Sequence, residues 1–174
     1  ILEERIMKQF VYIVFLLLSL HVSAQTEKNY GIQFYHGTWK EACDKAKAEN
    51  KLIFVDFYTK WCGPCLNMAE NVFILPFIGD FYNTNFVNMK IDAENGEGVE
   101  LAKRYGVNSY PTYVFVDPKN GDVVHRSKSR QEAEQFLATG KSALVPELRS
   151  GYLIEEFAKG RDDREFLKNY IHYN

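Results

Sequence analysis

Two cysteines separated by two residues, Cys62 and Cys65, are the residues of this sequence best suited to chemistry. They lie in the run Trp61-Cys62-Gly63-Pro64-Cys65, where the proline suits the first turn of a helix. At a helix start, free backbone N–H groups and the helix dipole stabilise a thiolate on the first cysteine. We therefore expect a redox-active disulfide in which Cys62 attacks the disulfide of a substrate. Cys65 would then attack the mixed disulfide and release the reduced substrate.

One acid and one lysine are predicted to lie near the two cysteines. Asp56 interrupts the apolar run Leu52–Tyr58, which is typical of a strand buried on both faces. Burial raises the pKa of a carboxyl toward neutral pH, so Asp56 is the candidate base for Cys65, the less acidic thiol. Lys90, on the adjacent predicted strand, would limit that rise. The alternative interpretation is an ordinary strand acid paired with Lys90.

Other uses of the thiol pair have less support. A structural zinc site needs four ligands, and beyond the pair the sequence offers only Cys43 and scattered histidines. Haem attachment needs a histidine after the second cysteine, where this chain has Leu66. A purely structural disulfide stays open, although so small a ring adds little stability. We expect no metal and no organic cofactor.

Cys43 shares an apolar helical stripe with Trp39 and Ala46, which indicates a buried small side chain, with a regulatory thiol as the alternative.

The composition limits the class of protein. The chain has 174 residues, 46% of them hydrophobic, and a formal net charge of −2. These values are typical of one globular domain and exclude a disordered or coiled-coil chain. Because basic residues are not in excess, we expect no nucleic acid partner.

The N-terminal residues predict export. Residues 1–6 precede the first methionine and are left out of the fold prediction. From Met7, a lysine, an apolar run and small residues up to Ala24 form the pattern of a bacterial secretory signal peptide cleaved near Ala24. A transmembrane anchor is the alternative, but the apolar run 10–20 is shorter than the about 20 residues that a spanning helix needs. We expect a periplasmic or otherwise exported protein, in an oxidising compartment and without stable membrane insertion after processing.

The hydrophobic pattern of residues 25–145 predicts alternating strands and helices. Strands are predicted at 31–37, 52–58, 86–91, 112–117 and 123–126, and helices at 38–50, 62–73, 98–105 and 131–143. Pro76 should kink or end the second helix. This order indicates an α/β fold with a mixed central sheet and helices on both faces, in which an antiparallel hairpin comes last. Cys62 directly follows the most buried strand, at the carboxyl end where reactive sites of such sheets lie.

These motifs resemble those of thioredoxins in order and spacing. The resemblance covers about residues 31–143 and rests on Val55-Asp56-Phe57, the Trp61–Cys65 run, Lys90-Ile91-Asp92, Tyr110-Pro111-Thr112 and the hairpin at Gly121. It implies a three-layer thioredoxin-like fold. It also implies a cis bond between Tyr110 and Pro111, in a loop that lies against the two sulfurs and offers its backbone to the substrate. On this ground Trp61, Gly63, Pro64, Tyr110 and Pro111 are expected to bind substrate, with a core aromatic as the alternative for Trp61.

A narrower resemblance concerns exported relatives. Trp39, Ala42, Ala46 and the run 49–51 look like exported thioredoxin-like proteins related to the terminal domain of the membrane thiol electron transporter. Thioredoxins have a glycine that lines the substrate groove after the hairpin, whereas residues 127–129 contain none, which puts groove shape and partner choice in question.

The resemblance implies a function. The Gly63-Pro64 dipeptide is similar to that of reducing members, so we expect a reductase of protein disulfides that receives electrons from a membrane thiol donor. A disulfide isomerase or oxidase is one alternative. A non-catalytic binding module that uses the groove or the C-terminal helices is the other.

Residues 146–174 form a separate extension in the predicted organisation, after a leader at 1–24 and a thioredoxin-like domain at 25–145. Apolar residues recur at helical spacing on both sides of the break 160–163, which predicts a helical hairpin. Two such helices cannot bury both apolar faces alone. We expect them to dock on the domain, and the start of a longer helical array is the alternative.

Overall fold

A four-stranded sheet lies at the centre of the molecule, in a computed structural model that describes residues 3, 5 and 30–173. Its strands are β1 (Leu52–Tyr58), β2 (Phe86–Asp92), β3 (Thr112–Val116) and β4 (Val123–Lys128). They lie in the order β2-β1-β3-β4. β1 pairs parallel with β2, while β3 pairs antiparallel with both β1 and β4. The mixed sheet with a final antiparallel hairpin confirms the predicted fold class.

Helices cover both faces of the sheet. They are α1 (Trp39–Glu49), α2 (Gly63–Asn71), α3 (Pro76–Asn85), α4 (Gly98–Arg104), α5 (Ala133–Leu144), α6 (Ser150–Ala158) and α7 (Arg164–Tyr173), with a 3₁₀ turn at Pro146–Leu148. A capping box begins α1, because Thr38 and Glu41 each accept a backbone N–H of the other.

The alternation of side chains along the strands separates two hydrophobic cores. On one face, Val55 and Phe57 of β1 pack with small residues of α1 and α4. On the other face, Phe54 packs with Met68 of α2, Tyr82 of α3 and residues of α5. Asp56 alternates with Val55 and Phe57, so it lies on the face that α2 covers. The fold therefore places an acid beneath the helix that carries the two cysteines.

The predicted first strand at 31–37 is wrong. Within this segment only Phe34 forms a β-bridge, to Asn88 of β2. Gly31 has a φ of +95°, and a Cβ there would lie 2.4 Å from the carbonyl oxygen of Phe73. The segment therefore approaches the turn after α2 too closely to continue as a regular strand, although it still lies along the edge of β2.

Pro76 ends the helical pattern of the cysteine helix and also begins a further one. α2 stops at Asn71, two residues before the predicted end, and Pro76 occupies the first turn of α3. A proline is well tolerated there because that N–H has no partner within the helix. The hydrophobic pattern of the sequence does not predict α3.

The C-terminal extension docks on the outer strand of the sheet, as expected. The backbone N–H of Ser150 donates to His125 Nδ1 at 2.9 Å, and Ser150 Oγ accepts the N–H of Arg126 at 3.0 Å. Leu153 of α6 and Phe166 of α7 are buried. α6 is therefore anchored on β4, and α7 packs against α6, where the rings of Phe157 and Tyr170 stack with centroids 4.2 Å apart.

The predicted signal peptide, 7–24, lies outside the described residues. Within the part of the chain that the structure describes, no helix is both long and apolar enough to span a membrane.

Candidate active site

Cys62 and Cys65 form a disulfide at the start of α2, with their Cα atoms 5.3 Å apart. Cys62 is the N-cap residue of this helix, and its Sγ accepts the backbone N–H of Cys65 at 3.1 Å. Such a bond, together with the helix dipole, favours a negative charge on the Cys62 sulfur once the disulfide is reduced. The two cysteines are 5% and 3% exposed. Both cysteines are therefore almost equally buried in the oxidised form.

The chain turns sharply between β1 and the disulfide. The N–H of Cys62 donates to the carbonyl oxygen of Thr59 at 3.2 Å, which closes the turn. Pro64 fits the first helical turn, and a Cβ on Gly63 would meet nothing within 4 Å. Gly63 therefore borders open space next to the disulfide.

Asp56 is fully buried in the sheet behind α2. Neither carboxyl oxygen has a hydrogen-bond partner among the described residues. Burial raises the pKa of Asp56 to about 7, and the positive charge of Lys90 opposes that rise. A carboxyl with this pKa exchanges protons near neutral pH, which is the property that a general base needs.

Lys90 is the direct neighbour of Asp56 on the parallel strand β2. The two side chains make no ion pair within the described residues, because both Asp56 oxygens lack a partner. The alternative of a simple strand ion pair is therefore wrong. Lys90 acts on Asp56 through its charge and not through a hydrogen bond.

Trp61 is 69% exposed, so the alternative of a core aromatic is wrong. Its indole Nε1–H donates to Glu94 Oε2 at 2.9 Å. The ring also packs edge-on against Tyr110, with ring centroids 5.9 Å apart. These contacts hold a large apolar surface in place next to the disulfide.

The loop before β3 contains the cis bond between Tyr110 and Pro111 that the resemblance implied. The N–H of Ser129 donates to the carbonyl oxygen of Pro111 at 2.9 Å. Ser129 has a φ of +69°, a conformation that glycine adopts without strain. This serine follows β4, in the 127–129 segment where thioredoxins have their groove glycine.

A cavity of about 210 Å³ opens beside the disulfide. It is lined by Tyr58, Thr59, Lys60, Trp61, Cys62, Gly63, Cys65, Leu66, Ala69 and Lys90. Leu66 is exposed at its rim, and the buried hydroxyl of Thr59 has no partner among the described residues. The cavity connects the sulfurs with the side chain of Lys90.

Sequence reasoning missed several residues of this site. Glu94 lies 33 positions after Trp61, and no local pattern links the two. Thr59 and Ser129 were missed because their roles depend on burial and on backbone conformation. His125 received no role from the sequence, yet it anchors the C-terminal extension.

The remaining cysteine, Cys43, lies apart from this site on α1. It is partly buried and packs against the first hydrophobic core, and burial raises the pKa of its thiol. In the described part of the chain, no group of three histidine, cysteine or acidic side chains could hold a metal ion.

A family model for the thioredoxin-like domain matches residues 39–144, more than half of the chain. The chain belongs to the thioredoxin-like family. The match contains β1 to β4, the disulfide and the cis-proline loop, and it ends at the last residue of α5.

Individual relatives agree with this family. Thioredoxin-1 of Drosophila yakuba is 46% identical over 69 residues, which are 40% of this chain and 60% of that protein. A candidate disulphide isomerase from Bacteroides thetaiotaomicron is 42% identical, with a TM-score of 0.61 over 68% of this chain and 97% of that one. The oxidised C-terminal domain of DsbD from Neisseria meningitidis is 25% identical, with a TM-score of 0.50 over 61% and 95% of the two chains.

Proposed function

We propose that this protein is an exported thiol–disulfide oxidoreductase that reduces protein disulfides through Cys62 and Cys65. The observation that carries the proposal is the disulfide at the N-terminus of α2, with Cys62 as the capping residue above a buried, unpartnered Asp56. The thioredoxin relatives support the same chemistry.

The reaction begins with the reduced form of the pair. The Cys62 thiolate attacks one sulfur of a substrate disulfide, forms a mixed disulfide and displaces the other substrate sulfur as a thiolate. The Cys65 N–H that points at Cys62 Sγ in the oxidised form would stabilise the attacking thiolate. Trp61, Gly63 and Pro64 then border the substrate on one side.

The second step needs a base. The Cys65 thiol gives its proton to Asp56, and the resulting thiolate attacks Cys62 Sγ. The Cys62–Cys65 bond forms, the bond from Cys62 to the substrate breaks, and the second substrate sulfur leaves with the electron pair. Two substrate thiols and one enzyme disulfide are the products. The positive charge of Lys90 lowers the pKa of the Asp56 carboxyl.

The substrate class follows from the shape of the surface around the sulfurs. Trp61 and Tyr110 form an apolar wall beside the cis-proline loop, and the backbone of that loop can pair with an extended chain. Partly unfolded proteins that carry a disulfide in an extended segment fit this surface.

Export and an electron donor complete the proposal. The signal-like sequence of residues 7–24 supports a periplasmic or otherwise exported location. A reductase in an oxidising compartment must be reduced from outside it, so a membrane thiol donor is the expected partner.

Serine variants test the mechanism. With insulin as the disulfide substrate and dithiothreitol as the reductant, Cys62→Ser should lower the rate to the uncatalysed level. Cys65→Ser should accumulate a mixed disulfide that non-reducing electrophoresis detects. Cys43→Ser is the matched control, because Cys43 lies apart from the site, and its rate should equal that of the wild type. Normal turnover by Cys62→Ser would exclude the mechanism. A Cys62–Cys65 pair that never exchanges with another disulfide would favour the alternative of a non-catalytic binding module.

A disulfide isomerase is the second candidate, favoured by the likeness to the candidate isomerase from Bacteroides thetaiotaomicron. The reduction potential of the Cys62–Cys65 pair distinguishes the two. A value near about −270 mV supports the reductase, whereas about −180 to −120 mV supports an isomerase or oxidase. The measurement is an equilibration of the protein in redox buffers followed by counting of free thiols by mass spectrometry.

A further inference from the structure

Three aromatic rings surround the ammonium group of Lys90, and we call these rings the Lys90 cage. Lys90 Nζ lies 4.9 Å from the ring centroid of Tyr58, 5.8 Å from that of Phe73 and 6.0 Å from that of Phe34. The rings come from the end of β1, the turn after α2 and the segment before α1. Attraction between an ammonium and an aromatic face acts over about 6 Å. Side chains from three separate parts of the chain therefore contact the ammonium group.

The cage explains why the ammonium stays near the sheet. A lysine ammonium is strongly hydrated, and Lys90 borders the cavity that opens beside the disulfide. Neither oxygen of Asp56 bonds to it. Without the rings, the flexible side chain would be free to turn into the cavity, and its charge would then lie farther from the carboxyl.

We propose that the Lys90 cage is a positioning device that fixes the ammonium charge beside Asp56 and so sets the pH range in which this carboxyl takes the proton of Cys65. The inference rests on the proposed function, because it concerns the resolving step described above. The step itself is unchanged: the proton moves from the Cys65 sulfur to the carboxylate, and the displaced substrate sulfur keeps the electron pair.

Other groups that face Asp56 do not compete with Lys90 in this pH range. From β3, Tyr113 lies opposite Asp56, and burial raises its pKa further above its already alkaline value. On β1, burial also raises the pKa of Tyr58, with Asp92 as a second cause. From α2, the oxidised pair does not titrate. Lys90 is thus the one charge near neutral pH that the described residues place against this carboxyl.

The experiment is a titration of the Asp56 carboxyl by ¹³C NMR in the oxidised protein, which requires no turnover. Phe34→Leu should raise the titration midpoint by up to about 0.4 to 0.7 pH unit, which is the attraction of about 0.5 to 1 kcal/mol to one ring converted at 1.36 kcal/mol per pH unit. Tyr58→Leu should raise it more because its ring lies closer. Lys90→Met should raise it most. Tyr35→Leu is the matched control, because Tyr35 packs against the other core, and its midpoint should not move.

A double-mutant comparison decides whether the rings act through the lysine. Phe34→Leu should not move the midpoint when Lys90 is already methionine. A shift that persists in the Lys90→Met background would overturn the proposal, as would wild-type midpoints in both cage variants.

The same variants separate this proposal from the proposed function. The pH profile of insulin reduction should move with the carboxyl titration. A moved titration with an unmoved rate profile would overturn the link between the cage and proton transfer while leaving the oxidoreductase activity intact. Absence of turnover in the wild type would instead overturn the proposed function, and the titration would still report on the cage.

Discussion

Replacing Asp56 with asparagine should make the oxidised protein more stable at alkaline pH. The pKa of this carboxyl rises from 3.8 to about 7 on folding, mainly because it is buried. Between these two values the folded state keeps a proton that the unfolded state has released, so the free energy of unfolding falls as the pH rises. Each pKa unit corresponds to 1.36 kcal/mol, which gives a loss of about 4 kcal/mol by pH 8. Asparagine resembles the neutral carboxyl and avoids that loss.

Urea unfolding of the oxidised protein at pH 4, 6 and 8 measures this effect. The wild type should lose about 4 kcal/mol across the series relative to Asp56→Asn, with most of the change below pH 7. Asp80→Asn serves as the matched control because Asp80 is exposed on α3, and it should follow the wild type. Equal pH dependence in the wild type and Asp56→Asn would refute the reasoning, because it would mean that the ionised carboxyl is not penalised by burial.

Two further predictions concern the end of the sheet next to the extension. Burial lowers the pKa of His125 from 6.5 to about 4, so the free energy of unfolding should fall by about 3 kcal/mol between pH 6.5 and 4. His125→Asn keeps an acceptor for the N–H of Ser150 and should lack this fall in urea unfolding. The same decrease in the variant as in the wild type would contradict the prediction. Ser129 has a positive φ, so Ser129→Gly should raise the free energy of unfolding by about 1 kcal/mol. Ser127→Gly, within β4, is the control and should lower the free energy of unfolding. A lower value for Ser129→Gly would contradict the assignment of backbone strain at this position.

The parts of the fold that the sequence predicted correctly are those with a strong local pattern. β1 is a continuous apolar run, α1 begins with a capping box, and the β3–β4 hairpin has an Asn-Gly turn. Each of these signals lies within about ten residues of chain. The cysteine pair is of the same kind, because its spacing and its place after β1 depend on neighbours in sequence.

The parts that could not be predicted depend on distant contacts. The segment before α1 reads like a strand, but its course is set by a close approach to the turn after α2. α3 is not evident in the sequence because its apolar residues follow Pro76, and a proline can either end one helix or begin the next. Glu94 reaches Trp61 across 33 residues, and the Lys90 cage draws its rings from three segments. No periodic pattern in the sequence indicates such long-range contacts.

Stability and chemistry oppose each other at Asp56. An ionised carboxyl without a hydrogen-bond partner destabilises the folded protein, so an apolar residue at this position would give a more stable chain. The same burial brings the pKa of Asp56 to about 7, where the carboxyl can both accept and return the proton of Cys65. A direct ion pair with Lys90 would relieve the destabilisation but would also hold the carboxyl ionised and make it a weaker base. With the ammonium held among aromatic rings, the base strength of Asp56 is intermediate between that of a carboxyl with no positive charge nearby and that of an ion-paired one. The position of Lys90 therefore affects the rate of the resolving step, although Lys90 exchanges no proton in it.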